Sequence, residues 1–66
     1  MLKPDELYAL ALDMRVAYLQ SQIERLGRDR WLGRTRANER TLRAYLSGAR
    51  SVPYYVLRLA DLESHP

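Results

Sequence analysis

The chain has 66 residues, a net charge of +3, no cysteine and a single histidine, His65. That size fits one small domain spanning 1–66 whose core is marginal, and it excludes a disulfide; with one histidine, no metal site is expected. Charge is segregated: residues 1–24 carry two basic against four acidic side chains (−2), residues 25–50 eight against two (+6), and residues 51–66 one against two (−1).

No period-two alternation runs for a useful length, so the pattern predicts an all-α fold, a small helical bundle. The first helix is predicted from Pro4, with Asp5 and Glu6 at the positive end of the dipole, to a C-cap at Gly27. It is read as one long N-terminal helix, with a break near Asp13 as the alternative. The stripe Tyr8, Leu12, Val16, Leu19, Ile23, Leu26 has helical spacing and predicts the inward side. The opposite side is apolar only in its first half, at Leu7, Leu10, Met14 and Ala17, and polar afterwards, at Gln20, Ser21, Gln22, Glu24 and Arg25. Either the other helices wrap that first half or a second copy covers it; Leu7, Leu10 and Met14 are the candidate dimer contact.

Residues Arg28 to Arg34 predict a short helix with Trp31 and Leu32 inward, Trp31 as a core anchor rather than a base-stacking platform. Gly33 and Thr35 to Asn38 predict a turn. Asn38 is a good N-cap for the next helix, which Gly48 ends. Leu42, Tyr45 and Leu46 share its inner face, while Arg40, Arg43, Ala44 and Ser47 lie away from it. Ser51-Val52-Pro53 opens a last helix with Val52, Tyr55, Val56, Leu59 and Leu62 as its buried side, and Glu63 to Pro66 as a frayed end.

The basic block is the footprint of a polyanion partner, and all eight of its bases are arginine, whose fork suits phosphates and guanine edges. Arg40 and Arg43, three apart, project together and can reach neighbouring guanines. Asn38 and Thr41 near the helix start can meet a phosphate or an adenine edge. Ala44 permits close approach to the groove floor. Glu39 is unfavourable near phosphates unless it pairs with an arginine or accepts from a cytosine amine. Arg28, Arg30, Arg34, Arg36, Thr41, Ser47 and Arg50 are candidate phosphate contacts.

The segment ERTLRAYLSGARSVP (Glu39 to Pro53) resembles the recognition helix and following turn of small Cro/repressor-type helix-turn-helix regulators. It is similar to the anti-CRISPR-associated autorepressors of phages and mobile elements. The resemblance implies a helix-turn-helix, with Arg40 and Arg43 at base-reading positions, Asn38, Glu39 and Ala44 beside them in the groove, and Leu42 and Tyr45 in the core. Such families place a Leu-Gly pair before the turn. Leu32-Gly33 serves as that pair if the turn carries about three extra residues; counted without an insertion, Leu32 falls where alanine is expected and Arg36 where glycine is expected.

The resulting expectation is a sequence-specific duplex-DNA-binding transcription regulator, a dimeric repressor (an autorepressor). Its operator is an inverted repeat with half-sites about one DNA turn apart. The resemblance implies a bacterial or phage-encoded chain. Its N-terminus lacks a signal-peptide pattern and no apolar run reaches the roughly 20 residues of a membrane span, so a cytoplasmic location and no membrane partner are expected. No cofactor, small-molecule substrate or enzymatic activity is expected, because no central His, Cys or glycine-rich phosphate loop is present. The alternative is a protein-interaction module, antitoxin-like or a phage inhibitor, acting through the apolar N-terminal helix. RNA binding ranks third.

Overall fold

A computed structural model of the chain describes residues 3–62. The predicted frayed end and His65 lie outside the described residues. The described chain is all-helical: α1 (Pro4–Ala9), α2 (Leu12–Leu26), α3 (Arg28–Thr35), α4 (Glu39–Ser47) and α5 (Tyr54–Leu62). Helix α5 packs against α1, α2 and α3, and α2 also touches α3 and α4. The core comprises Leu7, Leu19, Trp31, Leu42, Tyr45, Val52, Val56, Leu57 and Ala60. Removing each large apolar side chain from water contributes roughly 1.5–3 kcal/mol, the main favourable contribution in a domain this small.

The long N-terminal helix does not form. It breaks at Leu10 and Ala11, both in extended conformation (ψ 136° and 158°), although neither is glycine or proline. Arg15 explains how the break is tolerated. Its Nε donates to the Leu10 carbonyl (3.1 Å), Nη2 to the Tyr8 carbonyl (3.0 Å) and Nη1 to the Val52 carbonyl (3.0 Å). One guanidinium thereby replaces the helical bonds lost at the break and ties both sides of it to the connection before α5. At the other end of α1 the Lys3 backbone N–H donates to Glu6 (3.0 Å).

The break turns α1, and the burial pattern changes with it. Leu7 is buried in this chain's own core and Leu10 packs against that core. Two of the three predicted dimer contacts are therefore internal, and only Met14, at 55% exposure, faces solvent. Of the predicted inward stripe, Leu19 is buried and Val16, Ile23 and Leu26 are partly buried, but Tyr8 and Leu12 are exposed. Tyr8 instead sets its ring edge-on to Tyr54, with centroids 5.1 Å apart.

Gly27 ends α2 at φ +88°, its N–H donating to the Ile23 carbonyl (2.8 Å), and its own carbonyl accepts from Trp31 N–H to begin α3. A side chain at that φ would be strained, so this tight corner needs glycine. Trp31 is then fully buried. Gly33, expected in the turn, lies inside α3.

The buried side of α5 is Val56, Leu57, Ala60 and Asp61. It is rotated from the predicted Tyr55, Leu59 and Leu62, which are exposed. The rotation follows from a polar network. Gln22, expected on the solvent side of α2, is fully buried. Its Oε1 accepts from Trp31 Nε1 (3.1 Å), and its Nε2 donates to the Leu57 carbonyl (2.8 Å) and to Asp61 Oδ1 (3.1 Å). The indole N–H can only donate, so it fixes the amide's orientation and turns the donor end toward α5. Tyr18 also donates to Asp61, and Arg25 binds it at 3.1 Å. A carboxylate inside a small protein is tolerable only with such partners.

Candidate nucleic-acid interface

Helices α3 and α4 are joined by a turn of Arg36, Ala37 and Asn38. Arg36 closes α3 in the left-handed region (φ 57°, ψ 26°), the one non-glycine residue at positive φ among the described residues. That conformation favours glycine because it crowds a Cβ. Arg36 is also the position where the uninterrupted count puts the turn glycine.

Asn38 caps α4 as its sequence predicts: Oδ1 accepts from the Thr41 N–H (2.8 Å), and the Leu42 N–H reaches the Asn38 carbonyl (3.0 Å). The cap restrains the side chain's other uses. Bidentate reading of adenine needs the amide oxygen as well as the nitrogen, and here that oxygen is engaged with Thr41. Asn38 is therefore a cap before it is a base reader. Thr41 is partly buried, so it is less open to a phosphate than its exposed neighbours Arg40 and Arg43.

Leu42 and Tyr45 bury the inner side of α4, with Leu46 packed at its edge. Arg40 and Arg43 are exposed on the other side, and Ala44 lies at the boundary, partly buried. Ser47 is exposed, but its hydroxyl donates to the Ala44 carbonyl (3.2 Å) and accepts from the Ala49 N–H (3.4 Å). It serves the helix end rather than standing ready for a phosphate. Gly48 takes φ 80° to end the helix, and Arg50 N–H donates back to the Ala44 carbonyl (3.2 Å), which holds Arg50 close below α4.

Glu39 takes the first of the two roles its sequence allowed, pairing with an arginine. Its carboxylate is gripped by Arg28 at the start of α3: Nε lies 3.0 and 3.1 Å from the two oxygens, and Nη2 2.7 Å from Oε2. Both groups are about half exposed. Hydrogen bonding by Arg28, more than the charges of Arg28 and Arg43, holds the Glu39 carboxyl below the usual carboxylate range. The same hydrogen bond, then the charge of Glu39, raises Arg28 above the ordinary guanidinium value. Glu39 is thus not presented to a base edge, and Arg28 is not an open phosphate contact. The sequence held the hint, since Glu39 was expected to need an arginine, but nothing in it singled out Arg28 among eight candidates in the basic block.

The remaining arginines divide. Arg30, Arg36, Arg40, Arg43 and Arg50 are exposed, whereas Arg34 is partly buried and so is only partly presented. Among the described residues no cluster of three or more His, Cys, Asp or Glu could hold a metal ion, and no helix is long and apolar enough to cross a membrane. Compared with protein-family models, curated proteins and solved structures, the chain matches none.

Proposed function

We propose that this chain binds duplex DNA as a sequence-specific transcription regulator, with α3 and α4 acting as a helix-turn-helix and α4 entering the major groove. The observation that carries the reading is α4 itself. It is capped at both ends and anchored by Leu42 and Tyr45, and it holds Arg40 and Arg43 exposed on the side away from the core. Two arginines on one side of a rigid helix suit O6 and N7 of neighbouring guanines. The left-handed Arg36 supports the same reading, since it gives the α3–α4 turn the backbone that a helix-turn-helix obtains from glycine. Arg30, Arg36 and Arg50 supply phosphate contacts.

The reading includes a homodimer on an inverted repeat, acting as a repressor by occluding a promoter. Leu7 is in the core and Leu10 packs against it, so the large apolar side chains left exposed for a second copy are Tyr8, Leu12 and Met14 around the α1–α2 break and Tyr55, Leu59 and Leu62 on α5. Selection of bound sequences from random duplex DNA tests the proposal: it predicts an enriched inverted repeat with half-sites about one turn apart. The exposed α5 stripe favours a second reading, a protein-interaction module. Selection without any enrichment would leave that one standing.

A further inference from the structure

We propose that the Glu39 carboxylate occupies the place a phosphate would take on Arg28, and so keeps Arg28 out of the protein's polyanion footprint. This inference rests on the nucleic-acid reading above and makes Glu39 a residue that sets sequence-independent affinity. The geometry carries it. A guanidinium recognises phosphate through two parallel N–H bonds from one edge. Arg28 already makes that fork with Glu39, with Nε within 3.1 Å of both oxygens and Nη2 at 2.7 Å.

Placement matters as much as distance. Arg28 is the first residue of α3 and Glu39 the first of α4, so the pair joins the two helix starts. Helix starts attract phosphate through their N–H groups and dipole. A carboxylate fixed there repels phosphate, and it also cancels the arginine best placed to offset that repulsion. The basic block therefore contributes less to non-specific binding than its eight arginines suggest.

The test uses the salt dependence of binding to a non-specific duplex and to heparin, where each additional anionic contact on duplex steepens the log–log slope by about 0.9. Four chains are compared with the wild type: Glu39→Gln, Arg28→Ala, the double variant, and Asp5→Asn. Asp5 is an exposed acid on α1, so its substitution raises net charge equally without unmasking Arg28. Glu24 is unsuitable as that control, because it lines the same groove as Arg28.

Glu39→Gln is expected to steepen the slope by about 0.9 while Asp5→Asn leaves it near the wild-type value. Arg28→Ala alone is expected to change little, and in the Glu39→Gln background to abolish the gain. Circular dichroism verifies that each variant is folded. If Glu39→Gln gains no more than Asp5→Asn, or if Arg28→Ala costs as much in the wild type as in the Glu39→Gln background, the masking idea is overturned while polyanion binding stands. Retention of no variant on either polyanion, at any salt, removes the nucleic-acid reading and this inference together.

Discussion

Helices α4 and α5 are both nine residues long and both lay one side on the core, yet they treat charge in opposite ways. Helix α4 buries Leu42 and Tyr45 and turns Arg40 and Arg43 to solvent. Helix α5 buries Asp61 at 3% exposure and leaves Tyr55 at 57% and Leu62 at 53% outside. An exposed arginine costs nothing to hold, so α4 says little about what stabilises the fold and much about what can dock on it. A buried carboxylate must be compensated. Its partners Tyr18, Gln22 and Arg25 therefore fix how α5 sits on α2. The two helices divide the labour: α5 is set by internal polar bonds, and α4 is left with a charged face.

Trp31 joins the two sides of this comparison, since it fills the core and anchors Gln22. Trp31→Ala is expected to lose on the order of 3–5 kcal/mol, enough to unfold most of a domain this small, as read by denaturant titration. Gln22→Leu keeps the volume but removes the bonds to Trp31, the Leu57 carbonyl and Asp61. A loss of roughly 1–3 kcal/mol is expected, and an unchanged denaturation midpoint would show that the network does not hold α5. On the α4 side the expected effects move from stability to binding. Arg43→Ala should alter stability by less than about 0.5 kcal/mol yet weaken specific duplex binding by ~1–3 kcal/mol and relax one base position. Arg58→Ala, an exposed arginine on α5, should have the smallest effect, with specific affinity and base preference both retained. Equal losses from Arg43→Ala and Arg58→Ala would mean that net charge, not the α4 face, carries the affinity.

The same contrast explains what could be read before the structure. Helix α4 was legible because its signals agree: Asn38 to start, Gly48 to stop, and apolar residues separated cleanly from arginines. Trp31 was legible as an anchor for its size. In α5 only Arg58 and Asp61 are charged, so the apolar pattern does not define one face, and nothing in the helix's own sequence marks Asp61 as buried. Gln22 had a signal that polarity hid: it stands three residues after Leu19 and four before Leu26, on their side of α2. The sequence offers a break near Asp13 only as the alternative to one long helix; its place at Leu10 and Ala11 goes with Arg15 meeting the Val52 carbonyl 37 residues away. In the candidate site, the exposure of Arg40 and Arg43 followed from helical spacing. The Arg28–Glu39 pair did not, because it requires knowing that the fold brings the first residues of α3 and α4 within side-chain reach of each other.

In the proposed function, α4 and the basic residues around it, not α5, meet DNA. Backbone amide shifts followed by NMR while a selected duplex is added test it most directly. The largest changes are expected between Arg28 and Arg50, centred on Arg40 to Ala44, with Tyr55 to Leu62 responding only where a second copy is joined. Changes concentrated on α5 while α4 stays silent, or no change along the chain at saturating duplex, would contradict it.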